Sequence, residues 1–216
     1  MKIIDSFLID AKQAPLLQHH LLRSQESFKH FFLSVNTSEL ELVYQSALTH
    51  CPSDKKIKVR IEFNTENLQQ SMIEYQPIDE IEAPIQLIQA PRCLSSAEIQ
   101  IAKFKTDQRQ HWKEWDQITS QQNTIDILAY NSNGFITETS RYSIFCIQNS
   151  VAMTPPISDG CLNGVLRKKI LEMGYIHWNQ QKMTVIEKSI SLQEIHQFEI
   201  IVGNSVRGLM QARLLD

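Results

Sequence analysis

Residues 56–63 alternate without a break: Ile57, Val59, Ile61 and Phe63 fall on one parity, and Lys58, Arg60 and Glu62 on the other. A period of two of this kind predicts a strand with one buried and one wet face. The chain before it runs on the helical period instead. Within residues 14–33, Leu17, Leu21, Phe28 and Phe32 recur at helical spacing, with His20, Arg23 and Lys29 interleaved. Residues 37–48 predict a second helix, capped by Thr37 or Ser38. Residues 3–9 read as an opening strand, and residues 69–75 return beside the alternating strand across a turn at 64–67.

Residues 77–91 carry three prolines, Pro77, Pro84 and Pro91, around a short strand at 85–88. That stretch, with residues 91–96 after it, is the natural domain boundary. The expected organisation is a smaller N-terminal α/β domain, residues 1–92, and a larger C-terminal domain, residues 97–216. The second half predicts a helix at 108–118, a strand at 125–130, a hairpin turn at 131–134 and its return at 135–139. Strands at 142–148 and 153–155 follow, then a helix at 163–173 and a strand at 183–187. Ser191 and Glu194 have the capping-box spacing of a short helix, before strands at 198–202 and 209–214. Strands and helices alternate without a regular βαβ rhythm. The expected fold class is therefore α/β with mixed sheets (α+β), not a doubly wound parallel sheet.

With 216 residues and a formal charge of −3, the chain can bury a sizeable core but has no basic stripe for nucleic acid. No apolar run reaches membrane-spanning length, and Asp5 and Asp10 interrupt the N-terminus where a signal peptide would be apolar. Cys51, Cys93, Cys146 and Cys161 have no C-x-x-C spacing and no histidine cluster beside them, so no metal site is expected. A reduced, cytoplasmic protein is the default.

Four segments carry more specific information: Lys105-Thr106-Asp107-Gln108-Arg109; Thr137-Glu138-Thr139 with Ile144-Phe145; residues 154–167 from Thr154-Pro155 through Gly160 and Gly164 to Arg167; and Gly203-Asn204-Ser205-Val206-Arg207-Gly208. In this order and spacing the chain resembles the class IV aminotransferases, the fold-type IV pyridoxal-phosphate enzymes of D-amino-acid aminotransferase-like architecture. Within them it is most like 4-amino-4-deoxychorismate lyase. Asp5-Ser6-Phe7-Leu8 and His20-Leu21-Leu22-Arg23 resemble the family's opening strand and its H-L-x-R helix, although the first half matches less well. The family usually has Pro where Asn163 stands, Asn where Ser143 stands and Thr where Asp107 stands.

The resemblance implies a role for each matching position. Lys105 forms the Schiff base with pyridoxal 5'-phosphate and then shuttles the substrate proton; Lys103 is the alternative only if the register is off by two. Glu138 pairs with the pyridine nitrogen, against the reading of a solvated carboxylate on a hairpin arm. Arg23 grips the cofactor phosphate, or is a helix-surface arginine. Backbone N–H groups near Leu162, Gly164 and Val165, at a helix start, complete the cradle. Ser205, beside Asn204, adds a hydroxyl, or is a turn residue. Arg109 contacts the cofactor's phenolic oxygen or caps its own helix. Arg60 and Arg207 are candidates for the two carboxylates of the substrate.

The implied reaction converts 4-amino-4-deoxychorismate to para-aminobenzoate and pyruvate, in folate synthesis, by a homodimer holding the cofactor between its two domains. The alternatives are an aminotransferase for D-alanine or branched-chain amino acids, and a non-catalytic relative.

Overall fold

The computed structural model describes residues 1–53, 55–81, 84–119 and 124–215. The chain divides into two compact units, Met1–Glu80 with Phe104–Gln108, and Ile81–Lys103 with Arg109–Asp216.

The first unit contains β1 (Ile3–Ile9), α1 (Leu17–His30), α2 (Thr37–Thr49), β2 (Ile57–Phe63) and β3 (Met72–Pro77). The three strands form an antiparallel sheet in the order β1-β2-β3. The alternation read in residues 56–63 is realised in β2, whose Ile57, Val59, Ile61 and Phe63 are buried with Phe28, Leu40 and Tyr44. Asn36 caps α2 through its side chain, accepting the Ser38 N–H, in place of the expected Thr37 or Ser38. Residues 68–70 form a single 3-10 turn capped by Asn67, so the strand expected at 69 begins only at Met72. The free edge of β1 is taken by residues 104–108: Ile4 N–H donates to the Lys105 carbonyl at 2.9 Å and Asp107 N–H to that of Lys2 at 3.1 Å.

The second unit contains β4 (Ile85–Gln89), α3 (Ser96–Ala102), α4 (Gln110–Thr119), β5 (Ile125–Tyr130), β6 (Ile136–Thr139), β7 (Ser143–Gln148), β8 (Val151–Thr154), α5 (Val165–Met173), β9 (Tyr175–Trp178), β10 (Gln181–Glu187), β11 (Glu199–Asn204) and β12 (Gly208–Leu214). Its nine strands run in the order β6-β5-β4-β12-β11-β7-β8-β10-β9. Three neighbouring pairs, β12·β4, β4·β5 and β10·β8, are parallel and the rest antiparallel, which makes the sheet mixed. The two-residue period sorts its side chains to opposite faces. Ile144 and Cys146 of β7 join Leu87, Leu128 and Val202, while Phe145 and Ile147 join Ile170 of α5 with Met183 and Val185. Trp112 and Trp115 of α4 meet edge to face at 5.1 Å and bury against Ile127 and Ala129.

The division at Glu80/Ile81 falls within the proline-bearing stretch 77–96 read as the boundary, earlier than the limits of 92 and 97 drawn from it, because β4 hydrogen-bonds between β12 and β5 of the large sheet. Neither α3 nor β9 was expected. Ser191 accepts the Gln193 N–H at the start of a 3-10 helix, Leu192–Gln197. Among the described residues no helix is long and apolar enough to cross a membrane.

Candidate functional site

In the first unit, Lys105 lies half-buried in the segment paired with β1, and its neighbours are held firmly. Thr106 is fully buried, and Phe104 stacks on the His30 ring at 3.9 Å with Phe31 at its edge. Asp107, the departure from the family's Thr, accepts the Lys2 backbone N–H at 2.7 Å and so ties this segment to the start of β1.

Beside it lies a buried polar cluster. Asp5 of β1 is fully buried and accepts from Arg23 Nη2, His20 Nδ1 at 2.8 Å and the Tyr44 hydroxyl at 2.7 Å. Burial alone would raise the Asp5 carboxyl, yet Arg23, His20 and Lys105 together hold it far below the usual carboxylate range. Burial also pushes the His20 ring down, outweighing the upward pull of Asp5, and pushes the Tyr44 hydroxyl up, with Asp5 adding to the shift. His20 is therefore neutral at neutral pH. Since the Asp5 carboxylate only accepts, Nδ1 carries the hydrogen. His20 Nε2 is buried without a hydrogen-bond partner among the described residues. Arg23 is 7% exposed, which sets aside the helix-surface reading. Arg60 lies on the wet parity of β2, where Nη2 donates to Glu62 at 2.8 Å and Nε lies 4.0 Å from Glu74.

In the second unit, Glu138 is 6% exposed in a strand whose four residues are all buried, so it is no solvated carboxylate. Leu128 pairs with Thr139 and Tyr130 with Ile136, leaving two β6 residues, Thr137 and Glu138, opposite Ala129 alone. This is a β-bulge, a device that re-aims a side chain out of the strict alternation. The turn that follows is gripped from several elements. Arg109 Nη2 donates to the Ser140 carbonyl at 2.8 Å, with its guanidinium 5.2 Å over the Trp112 ring, and Asn204 Nδ2 donates to the Arg141 carbonyl at 3.1 Å. Asn204 Oδ1 accepts the N–H groups of Val206 and Arg207 and so shapes the β11–β12 turn that holds Ser205 and Arg207.

The start of α5 is open. Its N-cap is Gly164, with no side-chain cap, and the first N–H groups of any helix lack an acceptor inside it. A Cβ on Gly164 would lie 2.7 Å from Ser143 Oγ, so the glycine lets the helix start approach β7 this closely without a shift of Ser143. Gly164 N–H donates to the Leu162 carbonyl at 2.8 Å, while the Asn163 N–H, which a proline would lack, reaches the Lys103 carbonyl at 3.5 Å. An uncapped helix N-terminus walled by a glycine and a hydroxyl is a fit for a phosphate.

The chain matches the amino-transferase class IV family over residues 2–215. It belongs to that family. A Schizosaccharomyces pombe protein provisionally named an aminodeoxychorismate lyase is 40% identical over 52 residues, 24% of this chain and 22% of that protein. Among solved structures, an amino-acid aminotransferase, provisionally so named, from Mesorhizobium loti has a TM-score of 0.83 at 22% identity, with 99% of each chain covered. A provisionally named 4-amino-4-deoxychorismate lyase from Legionella pneumophila has a TM-score of 0.80 at 19% identity, covering 100% of this chain and 83% of that one. At these identities the structural likeness speaks to the class IV fold: mixed sheets in an α/β chain.

Two residues to which motif reading assigned no role stand out, Asp5 within the opening-strand motif and Asp126 outside every motif. Asp5 and Asp126 are both fully buried carboxylates inside apolar strands. The available signal was the charge itself, in Ile3-Ile4-Asp5 and in Ile125-Asp126-Ile127, where a strand core has no use for an unpartnered carboxylate. Among the described residues no three His, Cys, Asp or Glu side chains gather as metal ligands.

Proposed function

We propose that this class IV chain is a pyridoxal-phosphate enzyme and that it converts 4-amino-4-deoxychorismate to para-aminobenzoate and pyruvate. The observation that carries the cofactor reading is the second unit's pair of features: a buried carboxylate re-aimed by a bulge at Glu138, and an uncapped helix start at Gly164. A carboxylate for a pyridine nitrogen and N–H donors for a phosphate are what this cofactor requires of a protein. The lyase reading draws support from the 52-residue match to the fission-yeast protein.

When bound, pyridoxal phosphate supplies an electron sink for the carbon that bears the substrate's amine. Lys105 Nζ would be the amine that holds the cofactor and the base that moves the proton at that carbon. The buried Glu138 carboxylate would accept from the pyridine N–H and keep that nitrogen protonated. The N–H groups of Val165 and its neighbours and the Ser205 hydroxyl would hold the phosphate; Arg23, fixed by Asp5, is the further candidate for it. Arg207, on the turn shaped by Asn204, takes a substrate carboxylate. Arg60 has a weaker claim, since Glu62 and Glu74 already engage it. Loss of the enolpyruvyl group as pyruvate leaves an aromatic ring, and aromatisation drives the step. We place this chemistry in a homodimer.

The test is para-aminobenzoate release from enzymatically generated aminodeoxychorismate, with wild type beside Lys105→Ala. Release by wild type alone is the expected result. A cofactor-loaded wild type that releases none, yet passes amino groups from D-alanine or a branched-chain amino acid to a keto acid, would replace the lyase by a transaminase.

A further inference from the structure

Asp126 is the hub of the turn that follows Glu138. It stands in β5 between Ile125 and Ile127 and is fully buried. Its Oδ2 accepts the Thr139 hydroxyl at 2.8 Å, the Arg141 N–H at 3.3 Å and Arg141 Nε at 3.4 Å. Its Oδ1 accepts the Ser140 N–H at 3.1 Å, the Ser140 hydroxyl and the Ile127 N–H at 2.8 Å. Five of these six donors belong to residues 139–141, which begin immediately after Glu138. The remaining polar groups of the turn point elsewhere: the Ser140 carbonyl to Arg109, the Arg141 carbonyl to Asn204 and Arg141 Nη2 to the Ile125 carbonyl.

A bulged strand has lost its regular ladder at the very residues that need direction. The ladder resumes at the Leu128–Thr139 pair, and Asp126 clamps the chain from that point onward. Glu138 thus leaves its bulge into a segment whose donors converge on one buried carboxylate, with Arg109 and Asn204 on the same segment. We propose that Asp126 is the positioning residue for Glu138, fixing the carboxylate's direction toward the cofactor's pyridine nitrogen and holding Arg109 and Asn204 in register with it. This rests on the cofactor reading above. The carboxylate is the chemically suited group: it offers lone pairs in every direction and no hydrogen, whereas an amide would turn N–H bonds toward donors.

The experiment titrates pyridoxal phosphate into wild type, Asp126→Asn, Glu138→Gln and the double variant, and reads affinity and the absorption spectrum of the bound cofactor against pH. Asp126→Asn is expected to weaken cofactor binding about tenfold and to move the spectrum in the direction that Glu138→Gln moves it. Because Asp126 acts through Glu138, adding Asp126→Asn to Glu138→Gln is expected to change the spectrum no further. A purely structural role predicts the opposite, a spectrum like wild type with lowered thermal stability, or effects that add in full. Should Asp126→Asn fold poorly, Thr139→Val removes one clamp bond at nearly constant volume. It is expected to shift the spectrum the same way by a smaller amount, about threefold in affinity. A wild-type spectrum and affinity for Thr139→Val or for Asp126→Asn would overturn the positioning role alone. A wild type that takes up no pyridoxal phosphate would overturn the cofactor reading and this role together.

Discussion

Asp5 in the first unit is ringed by side chains from two helices: His20 and Arg23 from α1 and Tyr44 from α2. Asp126 in the second unit is ringed mainly by one turn, through backbone N–H groups and hydroxyls, with Arg141 its one charged partner among the contacts described. Both carboxylates are fully buried. The first network reaches 39 residues along the chain to Tyr44 and ties α1 and α2 to β1. The second spans 15 residues or fewer and ties a single hairpin. A long-range network of ionisable side chains makes the fold of its unit answer to pH and to the loss of any member. A local network of backbone donors instead sets the direction of one neighbouring side chain. The two buried charges are therefore expected to do different jobs: Asp5 holds fold elements together, and Asp126, as proposed, aims Glu138.

Breaking the first network carries the largest cost. Asp5→Ala strands the buried Arg23 guanidinium, and chemical denaturation should show a loss of about 3–5 kcal/mol. Acid should act on the same network. The folded-state Asp5 carboxyl lies below its unfolded value, so its stabilising contribution is present above about pH 4 and fades as pH falls below that. The folded-state His20 ring also lies below its unfolded value of about 6.5, so the unfolded chain gains a proton first as pH drops through that value. Both effects run in one direction. Urea midpoints measured from pH 8 to pH 3 should fall on the acid side, with the first loss setting in near pH 6.5 for wild type and much reduced in His20→Gln.

The second region is expected to respond in activity more than in stability. Glu138→Gln keeps the shape of the side chain, so its thermal midpoint should stay close to wild type while kcat drops about 100-fold or more. Equal losses of stability in Asp5→Ala and Glu138→Gln would erase the distinction drawn between the two units. Arg92 and Glu98 provide the solvated counterpart. Arg92 makes two bonds to Glu98, at 2.7 and 2.9 Å, and holds its carboxyl at about 2 despite partial burial, with Ser95 adding the capping box of α3. The arginine is half in water, so Arg92→Ala should cost no more than about 1 kcal/mol by the same denaturation assay.

The periodic parts of this chain were legible in residues alone. The alternation of Ile57, Val59, Ile61 and Phe63 became β2, and the apolar run ending at Cys146 and Ile147 became β7. The capping box of Ser95 and Glu98 was present in the sequence too, but the prolines before it drew the segment toward a linker. Other features had no local signature. Residues 104–108 pair with β1 across a hundred positions, and no pattern near Lys105 announces a partner at Ile4. The bulge at Thr137 and Glu138 depends on the register of β5, which is set by the whole sheet. Arg23 looks like any helical arginine until Asp5 is placed opposite it.

The central claim, a pyridoxal-phosphate enzyme built around Lys105, is tested most directly by borohydride reduction of the cofactor-loaded protein followed by peptide mapping. The predicted result is a single phosphopyridoxyl adduct on Lys105, absent from Lys105→Ala. An adduct on Lys103 or another lysine, or no adduct at saturating cofactor, would contradict it.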